Sequence, residues 1–233
     1  MVTSGKYFSA LALAGCLTFA GVAAADDARD PKVNIEKVDF SKEELDKILN
    51  QAEAAAAKIA SGTGLRSTEA TKRPGKYQIV VVNRAGKVVG HRSQADAWVG
   101  SFAIAIGKAR TAAFFSSNEN ALTSRNVGAL SHSHGADGTG TAGPLWGIGT
   151  TNQGDNVGDN DADDDGVYRN TLVTFPGGVP LYKDGKLAGA IGVSGDGVDQ
   201  DEAVAFSGAE AFAPGEAVGK VGALAAPKVD PIQ

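Results

Sequence analysis

Three histidines, a run of aspartates and one strand-end arginine are the residues of this 233-residue chain whose types and spacing suggest chemistry. His132 and His134 are two apart, so an extended backbone turns both imidazoles to one side, where they can share a metal ion. A glycine-rich loop also carries histidine as an ordinary polar residue, and both readings stand. His91 falls in a stretch of strand character and reads at least as readily as solvent-facing or hydrogen-bonded as it does as a ligand. Asp161-Ala162-Asp163-Asp164-Asp165-Gly166 fits the D-x-D-x-D-G opening of a calcium loop, in which alternate carboxylates converge and the glycine permits a sharp turn. With Asp155 and Asp159 this makes six aspartates within eleven positions, which repel one another unless a cation or water screens them. Asp159, Asp161, Asp163 and Asp165 are the expected calcium ligands. The twelfth loop position is Leu172 rather than glutamate and no helices flank it, so this is no EF-hand proper, and the competing reading is a solvated acidic loop. Arg92 can hold a carboxylate through two parallel hydrogen bonds. Nucleophilic chemistry finds little support: Gly192-Val193-Ser194-Gly195-Asp196 lacks the second glycine of a nucleophile elbow, and the single cysteine is Cys16.

The first 25 residues set the compartment that these groups would work in. Lys6, an apolar run over 7–22 and Ala23-Ala24-Ala25 ahead of two aspartates read as a secretory signal peptide cleaved after Ala25, which predicts a periplasmic or secreted protein. Leu13-Ala14-Gly15-Cys16 also resembles a lipoprotein box, so a lipid anchor on Cys16 is the alternative. Later in the chain no apolar run is long enough to span a bilayer. The formal net charge is −5, and loss of residues 1–25 removes one lysine and no acid, an acidic balance that argues against nucleic acid as a partner.

Beyond a polar leader at 26–40, the elements that must position the candidates can be read in order. Ser41-Lys42-Glu43-Glu44 is a capping box, and Leu45, Ile48, Leu49, Ala52, Ala56 and Ile59 recur at helical spacing, predicting an amphipathic helix of about five turns. Residues 77–83 and 88–92 are strand-like and joined by Arg84-Ala85-Gly86-Lys87, a hairpin. Residues 97–115 return to helical spacing, with Ser101 a candidate cap. An insertion at 128–170, rich in Gly, Asp and Asn, has no periodicity, and regular structure is expected to resume over 171–175. Asp184-Gly185 suits a two-residue turn between strands at 179–182 and 187–193, the second of them apolar enough to be buried on both faces. Glycines 177, 178, 189, 192 and 195 remove side chains where a flat ligand or another backbone approaches closely. A helix follows Asp201, and a tail at 213–233 reads as loosely held.

Helix, hairpin, helix, insertion, hairpin, helix is an α+β order with mostly antiparallel strands. Three blocks carry a specific likeness: IVVVNRAGKVVGHR with AWVGSFAIAIGKARTAAFF, FPGGVPLYKDGKLAGAIGVSG, and DQDEAVA. Together they resemble the GlcG/HbpS family of haem-binding proteins, over 43–127 and 171–212 within a domain at 41–212. The resemblance implies a profilin-like three-layer α/β/α sandwich with a five-stranded antiparallel sheet, a homo-oligomer, and a haem or similar planar molecule in a cleft between sheet and helix. It points to Lys108 and Thr111 on the helix motif, with Gly177 and Gly178 shaping the cleft, Arg92 for a propionate, and His132 or His134 over the iron. For Lys108, Thr111 and Arg92 the competing reading is structural: a threonine bonded back to its helix, and cations that are solvated or buttress a contact. The function expected is haem carriage, storage or sensing; the alternatives are oxidative haem degradation or another small-molecule reaction, and a calcium-stabilised scaffold without haem. The long insertion departs from the family pattern.

Overall fold

The computed structural model describes residues 37–64, 66, 71–131, 143–145, 148 and 172–232. The capping box forms as its chemistry demands. Ser41 Oγ accepts the Glu44 amide at 3.2 Å, Glu44 Oε2 accepts the Ser41 amide at 2.7 Å, and helix α1 (Lys42–Ala56) follows. It buries Ile48, Leu49, Ala52 and Ala56. The helix is shorter than its periodicity predicts because the next residues pair with the far end of the chain: Ala60 N donates to Asp230 O at 2.9 Å and Ile232 N to Lys58 O at 2.8 Å. Ile59 thus bridges Pro231 instead of continuing the helix. The same bonds correct the reading of a loosely held tail.

Strands β1 (Gln78–Asn83) and β2 (Val88–Ser93) form the first hairpin. Helix α2 (Ser101–Phe115) begins after a loop in which Asp96 takes φ 67°, and Ser101 is its first residue rather than its cap, with Gly100 preceding it. A short strand β3 (Asn120–Ala121) and helix α3 (Ser124–Ser131) follow. Strands β4 (Gly178–Lys183) and β5 (Lys186–Ser194) make the second hairpin around Asp184 (φ 50°) and Gly185 (φ 76°), the left-handed pair that this dipeptide tolerates. Helix α4 (Val198–Ala209) and a short strand β6 (Gly219–Lys220) complete the order.

The main sheet is antiparallel, in the order β2-β1-β5-β4, and β3 pairs with β6 in a separate parallel ladder. It has four strands among the described residues, where the resemblance implied five. Residues 172–175 add no strand: the Val173 amide turns to helix α2, at 2.9 Å from Thr111 Oγ1 and 3.4 Å from Gly107 O. At the edge of the sheet, β4 tolerates Pro180, which has no N–H to offer.

Helices cover both faces, as the apolar character of the strands requires. Ile79, Val81, Val179, Leu181, Ile191 and Val193 meet α1 and α4, whereas Val80, Val82 and Ala190 meet Ala105, Ile106, Ala109 and Ala112 of α2. Helix α2 lies in backbone contact with the sheet. A Cβ added at Gly192 would stand 2.0 Å from Ala105 O, and one at Gly178 2.1 Å from Lys108 O. Gly192→Ala is therefore expected to push α2 off the sheet and cost about 1–3 kcal/mol, as overpacking does. Urea unfolding checks this against Gly215→Ala, whose added Cβ meets nothing within 4 Å.

Candidate functional site

Two places hold the polar side chains that the sequence singles out. The first is where α2, α4 and the start of β4 converge. Helix α2 is rich in small residues and has no consistently polar face, so a lysine in its middle must be buried with a partner. Lys108 Nζ donates to Asp201 Oδ2 at 2.7 Å and to Val193 O at 3.0 Å, and both ionic side chains are 2% exposed. Asp201 Oδ1 in turn accepts the Asp196 amide at 3.1 Å. Burial lowers the Lys108 ammonium against the opposing pull of Asp201. Burial pushes the Asp201 carboxyl up to about 6, with Lys108 holding it down in part.

Beside this pair, Arg125 Nε donates to Glu202 Oε2 at 2.6 Å and its Nη2 to Asp199 Oδ1. The Glu202 carboxyl is raised by burial in spite of the arginine. Thr111 uses its hydroxyl at both ends, donating to Gly107 O at 2.8 Å and accepting the Val173 amide at 2.9 Å. Gly178 N donates to Ser124 Oγ at 2.8 Å, and Ser124 Oγ donates to Phe175 O at 2.6 Å.

In this arrangement Lys108, Thr111, Gly177 and Gly178 are brought together but face one another. A Cβ at Gly177 would come 2.6 Å from Val193 O and 3.1 Å from both Asp201 Cβ and Lys108 Cδ, so strand β5 and the side chains of α2 and α4 fill the space beside this glycine. The structural reading of Thr111 describes what is seen. Lys108 is neither solvated nor at a surface contact. Arg92 does not join them. It pairs in register with Ile79, on the α1 face of the sheet, 3.6 Å from Asp46 Oδ1 and 3.9 Å from Glu53 Oε2, so the sheet separates it from α2. His132, His134, Asp159, Asp161, Asp163 and Asp165 lie outside the described residues.

The second place is the outer end of the α2 face. His91 pairs in register with Val80, whose side chain packs on α2, so the imidazole shares that face. The ring sits over Phe102 with centroids 4.5 Å apart and planes tilted by 47°. His91 Nε2 lies 3.0 Å from Gln78 Oε1, and Gln78 Nε2 donates to Trp98 O at 3.4 Å. Partial burial, with Arg92 nearby, lowers the pKa of His91 and favours the neutral ring. Trp98 is 47% exposed and Val99 89%.

Arg66 Nη2 donates to Asp96 O in the same loop, and Arg66, Arg73, Pro74 and Lys76 line an open concavity of about 420 Å³. A second concavity, of about 120 Å³ between Val179, Phe206, Ala209 and Leu224, is smaller than the 300–1,000 Å³ usual for ligand pockets. Among the described residues no group of three or more His, Cys, Asp or Glu side chains is placed to hold a metal ion, and no described helix is long and apolar enough to cross a membrane.

A mixed α+β fold with an antiparallel sheet under helices recurs in solved structures. The crystal structure of a PduOC:heme complex aligns with a TM-score of 0.52 at 22% identity, over 76% of this chain and 98% of that one. That of Klebsiella pneumoniae protein ORFY aligns with a TM-score of 0.50 at 20% identity, over 78% and 97%. In sequence, 159 residues are 28% identical to an uncharacterised 15.0 kDa protein from the dhaT-dhaS intergenic region of Citrobacter freundii, covering 68% of this chain and 89% of that protein. The family model described as haem degrading protein HbpS-like matches residues 40–210, and the chain belongs to that family.

The ionic cluster is not evident in the sequence, because Asp199 and Asp201 also suit the first turn of the helix they open. The signal available was Lys108 within a run of small residues, which demands a buried anion. Lys108→Met strips Asp201 of its cation and is expected to cost about 3–5 kcal/mol in urea unfolding. Folding raises Asp201 from 3.8 to about 6, so between those values the native chain holds a proton that the unfolded chain releases. This carboxyl's contribution to stability therefore falls as pH rises through that window. In the same experiment, Asp201→Asn should remove that component of the slope.

Proposed function

We propose that this protein binds haem, or a closely similar planar molecule, and carries, stores or senses it outside the inner membrane. The observation that carries the reading is membership, over residues 40–210, of a family described as haem degrading. It is supported by the resemblance of the Lys108 and Gly178 blocks to haem-binding proteins, and by a structural neighbour that was crystallised with heme. The donor chemistry of the described residues fits such a group: an exposed imidazole biased to its neutral form, aromatic and aliphatic surface beside it, and arginine and lysine side chains near the same loop. Bound haem would supply a redox-active iron; the chain's part is to ligate it, cover its apolar surface and neutralise its propionates. Export through cleavage after Ala25 belongs to the same proposal, because the apolar run and small-residue site at 1–25 support it.

The cleft between α2 and the sheet is a poor seat for the macrocycle, since the α2 backbone rests on Gly178 and Gly192. The bound molecule is better served by the edge of the α2 face. Turnover is the second reading, favoured by the words of the family description. A haemin titration of the purified chain is expected to give a saturable Soret band, and its absence would remove the haem reading. Under carriage the band persists when reductant and oxygen are supplied together; its decay under those conditions would favour degradation.

A further inference from the structure

Resting on the haem reading, we infer that His91 is the residue that ligates the iron, through Nδ1, with Gln78 as the positioning residue that fixes its tautomer. Gln78 is buried and tied down at both ends of its amide. Its Nε2 donates to Trp98 O at 3.4 Å, which leaves Oε1, 3.0 Å from the imidazole, as an acceptor. An acceptor there requires His91 Nε2 to carry the proton. The lone pair then sits on Nδ1. This is how protein ligands to metals are usually held, with the second ring nitrogen engaged by a fixed acceptor that sets orientation and basicity. Phe102 fixes the plane of the ring from below, at 4.5 Å between centroids.

The surroundings say what sort of metal this nitrogen suits. A bare cation needs several protein donors converging on it. One imidazole on an apolar surface suits a metal that brings its own equatorial ligands, as a metallated macrocycle does. That surface is present: Trp98 and Val99 are exposed in the loop leading into α2, and Gln78 connects the Trp98 backbone directly to the imidazole. Cationic groups for peripheral carboxylates belong to the same end of the sheet. Arg66 is bonded to Asp96 O in that loop and lines the concavity of about 420 Å³ with Arg73 and Lys76. Gln78 and Phe102 set His91 apart from an ordinary solvent-facing histidine.

The test is haemin titration followed by absorbance, on the wild type, His91→Ala, Gln78→Leu and the double variant His132→Ala/His134→Ala, with thermal melts to confirm folding. His91 is exposed on an edge strand, so its alanine variant should fold. His91→Ala is expected to shift the Soret band and weaken haemin, and added imidazole should restore the wild-type spectrum. Gln78→Leu is expected to weaken haemin by about 10–100-fold, the usual effect of losing a partner behind a ligand. The double variant should match the wild type. If the wild type binds haemin while His91→Ala keeps its spectrum and affinity, this assignment is overturned and the haem reading survives. If the wild type acquires no Soret band, both fall.

Discussion

The fold depends on how closely one helix can lie on one sheet. Gly178 and Gly192 let the α2 backbone rest against β4 and β5, with Lys108 O and Ala105 O standing where side chains would otherwise be. That approach takes α2 out of water along most of its length and forces both of its cations, Lys108 and Arg110, into the interior, where Arg110 Nε donates to Gly86 O at 2.9 Å. Lys108 then needs an anion, and Asp201 at the start of α4 supplies it at 2.7 Å. The buried pair joins two helices on opposite faces of the sheet. Taking two charges out of water is costly, and such a pair is better understood as fixing where α2 and α4 meet than as a net source of stability. Arg125 with Glu202 and Asp199 extends the same electrostatic seam toward solvent.

This packing fills the space between α2 and the sheet. A glycine-rich hairpin reads equally as the wall of a slot and as a helix seat, and in this fold it is a helix seat. Thr111 and Lys108 are spent on holding α2, its neighbouring segment and α4 in place, and Arg92 lies across the sheet beside α1. At the outer end of the same face, β2 is an edge strand and the loop leading into α2 exposes Trp98 and Val99. Free nitrogen, aromatic surface and cations gather at that end, where an approaching ligand need not prise apart backbone contacts.

What was legible in the sequence was local. The Ser41/Glu44 box, the Asp184-Gly185 turn and the two-sided burial of β5 follow from residues a few positions apart, and each appears as read. What was not legible depended on partners far along the chain. Helix α1 stops where 58–60 meet the tail, Val173 bonds to α2 and Phe175 to α3, and Asp201 is 93 positions from the lysine it neutralises. For the candidate site, the family motifs pointed to Lys108, Thr111, Gly177 and Gly178 as haem-cleft residues, and the structure shows them engaged in packing and hydrogen bonds. The motifs alone could not say whether the constraint was packing or ligand. His91 depended on Gln78, Trp98 and Phe102, which only the hairpin register and the α2 start bring beside it.

Hydrogen exchange with and without haemin discriminates most directly between a ligand at the edge of the α2 face and one between helix and sheet. The edge account predicts slowed exchange over 91–102 and unchanged exchange at 107–111 and 189–193. Protection changes centred on 107–111 and 189–193, with 91–102 unaffected, would contradict it.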